Sequence, residues 1–131
     1  MREYLKPKGL SNSPSYSHVA TTRGEKLIFV SGQISCDAQG AIVHAGDLPK
    51  QAEQTFENLK LALAAAGATL GNLIKVTTFV VNLDEPKWRA VSAVRARYFP
   101  KDQPPASTMV GVQALVLRDL MIEIEAVASI G

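Results

Sequence analysis

The chain has 131 residues, the length of one domain, and its 47% hydrophobic and 20% charged residues exclude a disordered chain. Fourteen Lys and Arg against twelve Asp and Glu leave a net charge of +2, which gives no electrostatic footprint for nucleic acid or an anionic membrane. One cysteine and two histidines exclude an intrachain disulfide and a multi-cysteine metal cluster.

Met1 to Pro7 has no apolar stretch of signal-peptide length, and the apolar windows Leu27–Val30 and Leu61–Ala66 are too short to span a membrane, so a cytoplasmic protein is expected. Tyr16 to Thr22 is a candidate first strand. Lys26 to Ile34 is a β-rich run ending near Gly32. A helix follows from about Leu48 to Ala66, with Asp47 as N-cap, Pro49 in the first turn and Gly67 as the stop. Its apolar stripe is Ala52, Phe56, Leu59 and Leu63. Ile74 to Leu83 is rich in β-branched residues and reads as a strand. A second helix, about Glu85 to Tyr98, repeats the Asp–x–Pro start at Asp84 and Pro86 and stops before Pro100. Trp88, Val91, Val94 and Tyr98 are its expected stripe, with Trp88 in the core. Ser107 to Leu115 is a weaker strand, interrupted by Gly111. Leu120 to Val127 alternates, placing Leu120, Ile122, Ile124 and Ala126 on one face and Glu123 and Glu125 on the other.

This order is an α+β single domain, with two helices covering one face of a mixed sheet. The Thr and Val content on both faces of the Ile74 strand predicts that the second face is also covered. No further helix is available, so another copy of the chain is the expected cover.

The chain resembles the Rid family of reactive intermediate deaminases, also called YjgF-type or the L-PSP endoribonuclease family. The resemblance rests on Tyr16-Ser17-His18-Val19, Val30-Ser31-Gly32-Gln33-Ile34, and Gln51-Ala52 with Glu57-Asn58-Leu59 and Ala65-Ala66-Gly67. It continues through Lys75-Val76-Thr77-Thr78-Phe79-Val80, Pro105-Ala106, Val110-Gly111-Val112 and Ile122-Glu123-Ile124-Glu125-Ala126. It implies a chorismate-mutase-like subunit, a homotrimer and ligand sites in the clefts between subunits. It also implies cofactor-free hydrolysis of enamines and imines to 2-oxo acids and ammonia. The family's deaminating members carry an arginine directly after the Pro-Ala pair, where guanidinium grips the substrate carboxylate through two bonds. Here Ser107 stands in that position.

The resemblance marks Glu123 as the catalytic carboxylate. Imine hydrolysis moves one proton from water and one to nitrogen, and a half-buried carboxyl can serve both transfers. Gly32 matches a position where backbone approaches the ligand, and a strand-end bulge is its structural alternative. Tyr16 would line the cleft, or else pack in the core. Ser107, Thr108 and Met109 complete the expected substrate-binding set. Arg95 and Arg97 read as a solvated helix face, though one of them entering the cleft would replace the missing charge. His18 and Cys36 carry no role in this set.

Three classes of function follow. The first is an enamine or imine hydrolase whose substrate is not a simple 2-imino acid. The second is a non-catalytic binder of a small metabolite. The third is a ribonuclease, which the near-neutral charge disfavours. No membrane or nucleic-acid partner is expected, and no metal ligands are proposed.

Overall fold

The computed structural model describes residues 1–24 and 26–131. Both helices begin at their predicted caps. In α1 (Leu48–Ala65) the Asp47 carboxylate accepts from the Lys50 amide at 3.1 Å, and in α2 (Glu85–Tyr98) the Asp84 carboxylate accepts from the Lys87 amide at 2.9 Å. Each bond satisfies a backbone donor the helix leaves free. The α1 stripe of Ala52, Phe56, Leu59 and Leu63 is completely buried. Phe56 stacks on Tyr98 of α2 and meets Phe99 edge-on, which locks the two helices together.

The strands are β1 (Arg2–Leu5), β2 (Val19–Thr22), β3 (Lys26–Gln33), β4 (Leu73–Val81), β5 (Ala106–Val112) and β6 (Ile122–Ile130). A short 3-10 turn, Leu70–Asn72, leads into β4. The main sheet has the order β3-β6-β4-β5, with β4 and β5 parallel and the other pairs antiparallel. Both helices pack on one face, over Val76 and Val80 of β4 and Ile122, Ile124 and Ala126 of β6. This is the mixed-sheet α+β arrangement expected. No helix among the described residues is long and apolar enough to cross a membrane.

Five details differ from expectation, one being that β6 runs over Ile122–Ile130 rather than Leu120–Val127. β1 pairs with β2 in a separate two-stranded ribbon, tied to the main sheet by Tyr4, whose hydroxyl donates to the Leu73 carbonyl at 2.8 Å. Only Val19–Thr22 of the first predicted strand is laddered; Ser17 instead makes one parallel bridge to Ala106. Strand β5 ends at Val112 because its neighbour β4 ends opposite it, at Val81. Trp88 is 48% exposed and outside the core, while Val91 and Val94 are buried as predicted. The edge strand β5 presents Ser107 and Met109 towards α2, and beside them a cavity opens where core would otherwise close over the indole.

Candidate functional site

A cavity of about 520 Å³ lies between one face of α2, the start of β5 and the segment 11–16. Helix α2 supplies Trp88, Ser92 and Arg95, spaced four and three residues apart and therefore on one face. Strand β5 supplies Ser107 and Met109, which alternate onto the helix side of the sheet. Tyr16 closes the third side together with Ser11, Asn12, Ser13 and Ser15. Two bonds from buried Ser17 hold this segment in place: its amide donates to the Pro105 carbonyl at 3.2 Å, and its hydroxyl donates to the Pro104 carbonyl at 2.7 Å. Tyr16 is thereby brought to the start of β5, and its ring meets His18 edge-on.

Arg95 dominates the electrostatics of this cavity. It is only 6% exposed, and among the described residues no acidic side chain pairs with it. Its one polar contact is a long bond, 3.5 Å, from Nη2 to the Ser92 hydroxyl. Burial pushes its pKa below the ordinary range, with Tyr16 acting in the opposite direction, and an arginine stays protonated through such a change. The Ser107 hydroxyl is also buried and has no hydrogen-bond partner. A cation without a counter-charge and a buried hydroxyl without a partner therefore share one cavity.

Glu123 lies on the other side of the sheet. It pairs across β6 with Phe79, on the face away from the helices, and is half-buried. Gly32 sits in a bulge of β3, where Ser31 and Gly32 interrupt the pairing between Val30 and Gln33. The Glu123 carboxyl occupies the space a side chain at Gly32 would need: a Cβ there would lie 2.7 Å from the carboxyl carbon. The glycine therefore gives the carboxylate its berth. Thr108 is on this face too, where its hydroxyl accepts from Lys75 Nζ at 2.7 Å.

The expected site residues thus fall into two groups. Tyr16, Ser107 and Met109 share the helix-side cavity; Glu123, Gly32 and Thr108 share the open face. His18 and Cys36 lie outside the cavity, and Arg97 is exposed and paired with Glu53 at 2.7 Å. Sequence reasoning passed over Trp88 and Ser92 as cavity residues and read Arg95 as a solvated helix face, with entry of Arg95 or Arg97 into the cleft as the alternative. The signal was present in their shared helical face, one step round from the Val91–Val94 stripe. Among the described residues no three His, Cys, Asp or Glu side chains gather as a metal site would require.

Comparison with known proteins completes the picture. The profile of the family described as Endoribonuclease L-PSP matches residues 8–130. Protein DfrA of Myxococcus xanthus is 37% identical over 113 residues, 86% of this chain and 83% of that protein. The 3-aminoacrylate deaminase RutC of Acinetobacter baylyi is 32% identical over 98% of both chains. The crystal structure of YyfB from Yersinia pestis, a Rid-family protein of unknown function, superposes with a TM-score of 0.93 at 33% identity, covering 98% of both chains. Matched along nearly its whole length in sequence and in fold, the chain belongs to the Rid, or L-PSP endoribonuclease, family.

Proposed function

We propose that this protein hydrolyses a C=N or enamine bond of a small amino compound, in clefts shared between the copies of a homotrimer. The division of the candidate residues across the sheet carries this reading. Glu123 and Gly32 are on one side, and Tyr16, Arg95 and Ser107 are on the other. One chain cannot bring the two groups together, whereas the open face of one copy laid beside the cavity of the next can. That open face exposes Leu27, Phe29 and Val110, apolar side chains suited to burial in such an assembly. Similarity to RutC, a 3-aminoacrylate deaminase, supports the deaminase reading.

In the proposed reaction, Glu123 takes a proton from water as the oxygen attacks the C=N carbon. The C–O bond forms and the carbon–nitrogen π electrons move to nitrogen. The proton is then returned to nitrogen to give a carbinolamine, and Glu123 next carries the carbinolamine's hydroxyl proton to nitrogen as C=O forms and the C–N bond breaks, so that a carbonyl compound and ammonia leave. An enamine enters the same sequence after protonation on carbon. Ser107 stands where the resemblance places an arginine, so the substrate is one other than a simple 2-imino acid. A net charge of +2 gives the ribonuclease reading no electrostatic support.

The test is ammonia release from a series of larger imines and enamines, including aromatic imino acids generated in place by an amino-acid oxidase, with 2-aminoacrylate as the small comparison that should be turned over poorly. Glu123→Gln should lower kcat/KM roughly 10²- to 10⁴-fold on any substrate turned over. No rate above background across the series, or full activity in Glu123→Gln, would overturn the proposal.

A further inference from the structure

We propose that Arg95, reaching the cavity from α2, is the carboxylate-binding residue of this protein, and that its ligand carries a flat apolar body lying against Trp88. Carboxylate capture by Arg95 rests on the proposed function only for the reaction the ligand then undergoes.

Four observations lead to this assignment. A desolvated guanidinium without a counter-charge is costly, and in most folds a buried arginine is paired. Arg95 is 6% exposed and unpaired among the described residues, so the free protein holds it in reserve. Second, the unpartnered Ser107 hydroxyl and the Ser92 and Tyr16 hydroxyls line the same cavity and can donate to an oxyanion held by the guanidinium. Third, Arg95 is the one cation among the described residues that line the cavity. A planar guanidinium matches the charge and two-oxygen geometry of one carboxylate, while a phosphate dianion asks for more positive charge than this wall offers. Fourth, Trp88 and Met109 give the cavity an apolar side. Half of the tryptophan surface is open although Arg89, tied to Glu85 at 2.6 Å, lies over its ring at 5.7 Å. The ligand class is therefore an imino or enamine acid with an aromatic or similarly flat side chain.

Calorimetric titration of the assembled protein tests this without any turnover. Phenylacetate is the probe, phenylacetamide its neutral counterpart, and inorganic phosphate the rival anion. Phenylacetate should bind, and phenylacetamide and phosphate should bind at least roughly 10-fold more weakly. Arg95→Lys and Arg95→Met should each weaken phenylacetate roughly 10- to 150-fold and leave phenylacetamide unchanged. Trp88→Ala should weaken both ligands. Glu123→Gln, which removes a like charge from the same cleft, should bind phenylacetate at least as tightly as the parent, so absence of hydrolysis and absence of anion binding are told apart. A purely structural arginine would give a lower Tm on removal; here ligand-free Arg95→Met should melt at or above the parent temperature. The proposal is overturned if phenylacetate does not bind, if acid and amide bind alike, if phosphate matches phenylacetate, or if both Arg95 variants bind phenylacetate normally.

Discussion

Arg95 and Glu123 each depend on a neighbour that gives up space. For Glu123 that neighbour is Gly32, whose missing side chain leaves room for the carboxyl. Gly32→Ala should therefore displace the carboxylate and cut kcat by at least roughly 10-fold, since a misplaced acid–base group loses most of its advantage. Global stability should change by only about 1 kcal/mol, because the site lies in a bulge at the sheet's open face. Kinetics on the substrate found for the parent, paired with a denaturant titration, measure both. Glu123 was legible in the sequence because alternation along β6 separates it from Ile122 and Ile124 without ambiguity. Arg95 was not. On a helix it follows the Val91–Val94 stripe at i+4 and i+1, so periodicity alone places it at the margin between core and surface. A charged side chain at such a margin reads as solvated, and only β5 and the segment 11–16, both remote in sequence, enclose it.

Helices were read better than strands because their signals are local. Asp caps, prolines in the first turn and Gly67 at positive φ need only neighbouring residues. The strand errors all involve partners far along the chain. β1 is four residues long and acquires its identity only from β2, and β6 runs on to Ile130, where the Ser129 and Thr22 hydroxyls meet at 2.6 Å. One buried side chain connects the two kinds of element. Gln51 of α1 donates to the Asp119 carbonyl and accepts from the Met121 amide, both at 2.9 Å, immediately before β6. This clamp starts β6 in the register that points Glu123 away from the helices. Gln51→Leu leaves both backbone groups unpaired in the interior and should destabilise the protein by about 1–3 kcal/mol. Equilibrium urea unfolding at fixed protein concentration checks it, with a lower midpoint and an unchanged slope expected.

At the scale of the whole molecule, the sheet presents a helix-covered face and an open one. Phe29 is 75% exposed on the open face and Leu27 is 50% exposed, two neighbouring apolar side chains suited to burial against another copy. The pattern of β4 pointed to a covered second face from sequence, but which residues would meet across the junction was beyond reach, since no intrachain pattern encodes a neighbour's position. In the proposed trimer each cleft takes its Glu123 from one copy and its Arg95 from the next. Co-expressing two differently tagged chains, one Glu123→Gln and one Arg95→Gln, tests that claim directly. Each homotrimer should be nearly inactive. Purified through both tags, each mixed trimer holds two copies of one variant and one of the other, so one of its three clefts has both residues intact and about one third of the parent activity should return. If the purified mixed assemblies show no more activity than the two inactive variants measured separately, the site is not shared between copies and the proposed arrangement is wrong.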